Sequence, residues 1–415
     1  MSGYLTTIKT QIPYSDKEVD IHLGGKTLIL TGGNGCGKTQ LLNYIYNKLV
    51  NRVIERQNFD SRQLYSQIQL TEHTLTTNGP SSSSHDGLVR QLKRYKQQLS
   101  ELETPTIILS ELEAFVLKYQ SFQAVLIKFE AGRTSNILKP SSVSSIDSLK
   151  EKDRQIALNP QKKQSTSSIF EEFLLTSIAN QAFSESKKIN NNPQEADRID
   201  KWFKKLESDL QSLFEDNNLK LVFKSDSLSF EIHQPHKTPY SFQELSSGFS
   251  SIMAVYADLV AKVSLRSIIP EDLTGIVMID EIDAHLHVSL QKKILSFLTQ
   301  AFPKVQFIVT THSPFVVSSV DDAVIYDLSK LEQVEDLSMY SYEAVLEGLF
   351  GVLPISNLLQ QNIEALAKLL EKHPIDLVEI QSILDKLPHD ENSLDSESLY
   401  FVNSAKLAIN KAKRL

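Results

Sequence analysis

A chain of 415 residues, 41% hydrophobic and 23% charged, can bury a large core shared among two or three structural units, which excludes a disordered or fibrous chain. A net charge of −8 argues against broad attraction to nucleic acid and leaves room only for a local basic groove. The single cysteine excludes a disulfide framework and a cysteine-based zinc site; no apolar run approaches a membrane span, and Met1-Ser2-Gly3-Tyr4 lacks the features of a signal peptide, so a cytoplasmic setting is expected.

Tyr4 to Thr10 and Glu18 to Leu23 alternate as two early strands around a Pro13-Tyr14-Ser15-Asp16 turn. Tyr4 and Tyr14 are aromatic enough to stack on a base, but a tyrosine near a strand more often packs, and neither is assigned to a site. Lys26 to Leu30 then reads as a buried strand, and from Gln40 a helical pattern places Leu41, Leu42, Ile45 and Leu49 on one face. Between them stands Gly32-Gly33-Asn34-Gly35-Cys36-Gly37-Lys38-Thr39, the G-x-x-x-x-G-K-T spacing of a Walker A loop. Its glycines let successive N–H groups curl around phosphate oxygens, and the helix start at Gln40 adds positive potential. Lys38 would neutralise the β/γ-phosphates, and Thr39 would offer its hydroxyl to Mg²⁺.

A long excursion follows. Asn78-Gly79-Pro80-Ser81-Ser82-Ser83-Ser84 is a turn between two helical arms. Leu88, Leu92, Tyr95, Leu99 and Leu102 form a seam with alternating spacings of four and three, and Leu109, Leu112, Val116 and Tyr119 repeat it beyond Pro105. A helix of about 17 residues spans only about 25 Å, so this is a short hairpin or bundle and no long coiled-coil arm. Phe122 to Glu130 alternates like a strand. Residues 140–168 are polar, serine-rich and lysine-dotted, and are expected to form a flexible loop. From Asp197 to Phe214 the residues Ile199, Trp202, Phe203, Leu206, Leu210, Leu213 and Phe214 make one apolar stripe, and two strands follow, Leu219 to Lys224 and Leu228 to His233.

Phe242-Gln243-Glu244-Leu245-Ser246-Ser247-Gly248-Phe249-Ser250 precedes an apolar helix from Ile252 to Val263. Ser246, Ser247 and Gly248 at a helix start would make another phosphate cradle, although an ordinary N-cap has the same composition. Gly275 to Ile279 is an apolar run ending in Asp280 and Glu281, a Walker B strand: nothing about a buried parallel strand asks for two carboxylates at its end. Asp280 would hold the Mg²⁺ shell and Glu281 would polarise the attacking water. Val305 to Thr310 is a second such run, ending in Thr311-His312-Ser313, and Ala323 to Leu328 is expected to close the sheet. His285 and His287 lie near these acids, but residues two apart rarely converge on one ion, and the oxygen ligands present suit Mg²⁺ better. From Tyr340 the pattern is helical, with Pro374 between two helices and Lys406, Lys411, Lys413 and Arg414 favouring the last helix end.

Walker A, a Leu245-Ser246-x-Gly248 signature, Walker B and the strand-end His312 occur in the order found in ABC-type ATPases. With Asp283-Ala284-His285-Leu286-His287, the four motifs resemble the RecF/SMC/OLD branch, and within it the AAA-type ATPases of bacterial anti-phage modules of the Septu-like and retron-linked kinds. The resemblance covers about residues 1–50 and 236–330. It implies an α/β P-loop NTPase fold: an ABC-type ATPase head with a helical insertion and a helical C-terminal appendix. It implies ATP and Mg²⁺ as cofactors, Gly32 to Gln40 as the nucleotide loop, and Thr39 and Asp280 at the metal. Glu281, His312 and Lys38 would carry catalysis, His312 as a γ-phosphate-sensing switch, with Ser246, Ser247 and Gly248 aimed at ATP held by another head. The implied assembly is a homodimer or larger homo-oligomer controlling a separately encoded effector such as a nuclease or toxin.

Some positions depart from the pattern. Ser247 and Phe249 stand where many relatives have glycine and glutamine or glutamate, His287 replaces the D-loop aspartate of transporter cassettes, and no Q-loop glutamine is assigned, Gln123 being only a guess. The expected division is 1–57 and 218–335 for the two parts of the head, 58–217 for the insertion and 336–415 for the appendix. Other readings are a RecF-type DNA-repair ATPase acting directly on DNA and a transporter's ATP-binding subunit; the acidic balance and the helical insertion weigh against them.

Overall fold

The computed structural model describes residues 3–55, 61–78, 85–103, 106–159, 164–334, 337–351, 355–372, 376–388, 390 and 394–412. The chain forms two compact units, Met1–Tyr340 and Ser341–Leu415.

In the first unit, β1 (Leu5–Gln11) and β2 (Glu18–His22) pair antiparallel, and β3 (Thr27–Thr31) is buried at every position. Helix α1 (Lys38–Leu49) buries the expected leucine-isoleucine stripe and runs on through a π-helical turn, Val50–Ile54. α2 (Ser61–Asn78) and α3 (His85–Glu103) pack on each other as the predicted hairpin, with a Lys96–Glu72 ion pair of 2.6 Å. The expected turn at Gly79 to Ser84 lies outside the described residues.

Beyond the hairpin the seam does not continue as helix. Residues Ile107–Leu109 are β4, the third strand of the β1–β2 sheet, and only Leu112–Gln120, α4, is helical. The open edge of β1 takes up the backbone of Ile107 and Ile108, and Leu109, Leu112, Val116 and Tyr119 still pack on the same core. β5 (Ala124–Phe129) follows, as its alternation predicts.

Of the expected flexible loop at 140–168, residues 160–163 lie outside the described residues, and much of the rest is ordered secondary structure. Ser145 caps α5 (Ile146–Leu158) by accepting from Ser148 N–H, and a 3₁₀ turn, Thr166–Ile169, leads into α6 (Phe170–Glu185). The composition misleads because what the segment buries is polar. Asp153 accepts from Arg266 Nε at 2.7 Å and Thr166 Oγ1 at 2.8 Å and pairs with Lys262 Nζ at 3.4 Å, all behind side chains no more than 6% exposed. α7 (Pro193–Phe214) carries the predicted stripe.

β6 (Lys220–Lys224), β7 (Ser229–His233) and the short β8 (Tyr240–Ser241) form a small antiparallel sheet. Helix α8 (Ser247–Leu265) has a mean hydropathy of 1.3, long and apolar enough to cross a membrane contrary to the sequence expectation, but 78% of its apolar window is buried inside the protein. β9 (Thr274–Ile279), α9 (Val288–Gln291), α10 (Ile294–Ala301), β10 (Val305–Thr310), α11 (Pro314–Val317), β11 (Ala323–Asp327) and β12 (Glu332–Val334) complete the unit.

The central sheet has the order β12-β11-β3-β10-β9-β5, parallel except for β12. β11 therefore does not close the sheet; β12 covers its outer edge. β5 pairs with β9 over its whole length, so the chain re-enters the head in the middle of the expected 58–217 insertion. One face of the sheet, through Leu28, Leu30, Met278 and Ile308, shares a core with α1 and with Ile8 and Ile21 of the β1–β2 sheet.

The second unit comprises α12 (Tyr342–Gly348), α13 (Asn357–Glu371), α14 (Leu377–Leu384) and α15 (Ser396–Ala412). Its core joins Ile363, Leu366 and Leu369 to Ile380, Ile383, Val402, Ala405 and Ile409. Pro374, Lys413 and Arg414 lie outside the described residues.

Burial pushes the Asp153 carboxyl up, but Lys262 and Arg266 outweigh it and hold the group below its ordinary value. Replacing it with alanine leaves Arg266 buried without its carboxylate, a change expected to cost about 3–5 kcal/mol. Urea unfolding of Asp153→Ala at neutral pH should show that loss. A depressed folded pKa contributes stability that is complete above the unfolded value of about 4 and is lost as pH falls through the folded one. The gap between wild type and variant should therefore narrow only below about pH 4.

Candidate nucleotide site

The site lies where β3, β10 and β9 end. Gly37 caps α1 with φ +103, in the left-handed region, and a Cβ there would meet Ile12 Cγ2 at 2.8 Å. A glycine is therefore needed both for the turn into the helix and for its seat against the β1–β2 turn. Gly33, Asn34, Gly35, Thr39 and Gln40 are exposed along the loop, with Cys36 half-buried. Lys38 is buried; its ammonium donates to Gly32 O at 2.8 Å and Gly33 O at 3.1 Å, and lies 3.7 Å from Cys36 Sγ and 3.5 Å from His312 Nδ1.

Asp280 follows β9 and is almost fully buried. Its Oδ1 accepts from Thr310 Oγ1 at 2.6 Å and from Thr39 Oγ1 at 3.2 Å, so Walker A and Walker B meet directly. Two oxygen donors converging at the loop fit a hard, oxygen-seeking ion such as Mg²⁺, which keeps several waters and takes one or two protein ligands. Glu281 has φ +45, and its N–H donates to Thr310 Oγ1 at 2.7 Å. Burial, then the Lys38 charge, push the His312 imidazole below its ordinary pKa; Asp283, Glu281 and Asp280 pull it back. The Lys38 ammonium can only donate, so a neutral ring with its proton on Nε2 can accept a hydrogen bond from it at Nδ1.

Sequence reasoning missed several groups. Arg133, buried after β5, donates to the carbonyls of Asp280, Glu281 and Ile282. Ser329, after β11, takes the Gly33 N–H at 2.8 Å and is itself held by Asp327 through its own N–H. Thr310 bridges the two acids. None belongs to a contiguous motif; the available signal was a polar residue at or just after the end of an apolar run. Gln123 precedes the N-terminal end of β5, at the opposite end of the parallel strands from the site. Tyr4 is core, stacked on Phe115 with ring centroids 4.1 Å apart, whereas Tyr14 is 98% exposed in the turn next to the Walker A loop.

Ser246 and Ser247 are exposed at the start of α8, and Ser246 makes no side-chain capping bond. Gly248 sits against the turn after Walker B: a Cβ there would lie 2.7 Å from His285 O. Among the described residues no hydrogen bond joins Ser246, Ser247 or Gly248 to Gly32–Thr39 of the same chain. Phe249, where relatives carry a polar residue, stacks on Phe214 with centroids 4.1 Å apart and planes 2° from parallel, which accounts for the departure. His285 and His287 are both exposed, and His287 turns to Ser289 as the cap of α9.

The fold and the site define the class: a P-loop NTPase fold, with the Walker A threonine bonded to the Walker B aspartate at the ends of parallel strands. The chain belongs to the family described as "AAA domain, putative AbiEii toxin, Type IV TA system", whose model matches residues 28–318. It is 42% identical over 118 residues to the Retron Ec83 probable ATPase of Escherichia coli, a stretch covering 27% of this chain and 22% of that protein. It is 36% identical over 136 residues to the Septu protein PtuA of Bacillus mycoides (strain KBAB4), covering 32% of this chain and 18% of that one. The match thus spans less than a quarter of either curated relative. Among solved structures, an SmcHead bound to the C-winged helix domain of ScpA covers 78% of this chain and 93% of its own, with 13% identity and a TM-score of 0.37.

If Lys38 helps to hold the His312 ring neutral, Lys38→Met should raise the His312 pKa part of the way back towards about 6.5, with burial holding the remainder down. Ring-proton NMR titration of the two proteins reads this directly; an unmoved midpoint would sever the coupling.

Proposed function

We propose that this chain binds MgATP at Gly32–Thr39, pairs head-to-tail with a second copy through the nucleotide, and hydrolyses it with Glu281 as general base. The observation that carries the reading is the direct meeting of Thr39 and Asp280, with Glu281 beside them and Lys38 next to His312. The N–H groups from Gly33 to Gln40, across Asn34, Gly35 and Cys36, would face the phosphates while Lys38 turns its ammonium from loop carbonyls to phosphate oxygens. Thr39 and Asp280 would hold Mg²⁺, which when bound supplies charge neutralisation to the phosphates. Neutral His312 would accept a hydrogen bond from the attacking water or donate one to the γ-phosphate, according to its tautomer.

Exposed Ser246 and Ser247, with Gly248, suit a role on the neighbouring copy's nucleotide, since they make no hydrogen bond to their own Walker A loop. Each ATP would then be fully bound only in the dimer, which links assembly to nucleotide state through binding free energy. The helices outside the head would pass closure to a separately encoded effector, a nuclease or toxin, in bacterial anti-phage defence. This part of the reading rests on the motif resemblance and on the similarity to a retron ATPase and a Septu protein.

Glu281→Gln should lower kcat by about 10²–10⁴-fold while leaving ATP bound, the usual range for loss of a general base. Sedimentation with ATP and Mg²⁺ should then show a stable dimer, and a persistently monomeric variant would count against the reading. Mixing Lys38→Ala with Ser246→Arg, each inactive alone, should restore one working site per mixed dimer; no recovery would mean that the signature does not act across copies.

A further inference from the structure

Arg133 contacts the Walker B turn, and the reaction above gives it no part. It follows β5 by four residues and is 9% exposed. Its Nη1 donates to Asp280 O at 2.7 Å, its Nη2 to Ile282 O at 3.0 Å, and both reach Glu281 O at 3.3 Å; Nη1 also reaches Glu130 O at 3.3 Å. Nε has no hydrogen-bond partner. Burial pushes the guanidinium down to about 10 against the pull of Asp283, Asp280 and Glu281, so it stays charged at neutral pH. A buried cation satisfied by carbonyl oxygens is a costly way to fill space, and an apolar side chain would do so more cheaply.

What the cation grips is the backbone of Glu281. That residue has φ +45, a conformation non-glycine residues seldom adopt. Its N–H is fixed by Thr310 Oγ1 and its carbonyl by Arg133, so the peptide groups on both sides of its Cα are anchored. The direction in which the Cα–Cβ bond leaves the turn is thereby set. A planar fork can hold several carbonyls at once; a lysine's single ammonium cannot reproduce that geometry.

We infer that Arg133 is a positioning residue for hydrolysis: by clamping the carbonyls of residues 280–282 it aims the Glu281 carboxylate, without touching nucleotide itself. This rests on the reading of Glu281 as general base. A misplacement of about 1 Å at a reacting group can cost about 10²-fold in rate.

Arg133→Lys tests it. The affinity for a fluorescent ATP analogue should stay within about threefold of wild type while kcat falls about 10–100-fold, the split expected of a positioning loss. In a Glu281→Gln background the same substitution should lower kcat no further, because the two act as one unit. In nucleotide-free protein, amide hydrogen exchange in the 278–286 segment should quicken. An unchanged kcat, a loss that adds to that of Glu281→Gln, or a parallel loss of affinity would overturn the inference. If Arg133→Lys does not fold, Arg133→Gln carries the same test, and failure of both to fold would reduce Arg133 to a structural cation. Wild-type protein that does not turn over MgATP would defeat the general-base reading, and the exchange experiment would still judge the clamp.

Discussion

Three neighbouring strands have to end level, and the nucleotide site follows from that. β3, β10 and β9 are parallel and in register, with Leu28 beside Ile308 and Ile308 beside Met278. Each is an apolar run closed by a polar residue, and the registers set Asp280, just after β9, level with Thr310 on β10, with Thr31 on β3 one residue further along, level with Thr311. The Thr310–Asp280 hydrogen bond of 2.6 Å and the backbone bonds from Thr311 N to Leu30 O and from Ile282 N to Thr310 O lock that level. A slip of one residue in any strand would turn its buried side chains to the wrong face, so core packing enforces the alignment that the chemistry needs.

The strained turn after β9 is held by groups from other strands. Glu281 and His285 both have positive φ, and such backbone persists only where its surroundings over-determine it. Thr310 comes from β10 and Arg133 from the loop after β5. Two residues beyond Arg133, Ser135 N–H donates to Ser250 Oγ at 2.9 Å, in the first turns of α8. One short loop therefore bonds both to the Walker B turn and to the helix that begins at the signature residues. Gly248, close to His285 O, brings the start of that helix against the far end of the same turn.

The parts of this arrangement written in contiguous residues were legible in the sequence. Walker A, the Walker B run, the strand ending at His312 and the stripe of α7 each carry their own periodicity or spacing, and the structure has the corresponding strands and helices. Arg133 was not legible, because its partners in the Walker B turn lie 147 to 149 residues away and a lone arginine in a loop has no local pattern. β5 was read as a strand but not as a member of the central sheet, since parallel partners are non-local by nature. The helix α5 was missed for a different reason: its anchor is a buried ion pair, whereas patterning by hydrophobicity registers only apolar burial. Phe249 looked like a departure from the signature until Phe214, 35 positions earlier in the chain, supplied the ring that it stacks on.

The C-terminal helices draw their core from their own residues: Leu366, Ile380 and Ala405 come from three different helices, all beyond position 340. That core is written within one segment of the sequence, between Leu359 and Ile409. Outside that core, Leu358, Val378, Tyr400 and Leu407 stand exposed. The packing of these helices can therefore be altered through substitutions between Leu359 and Ile409, the stretch that supplies the core.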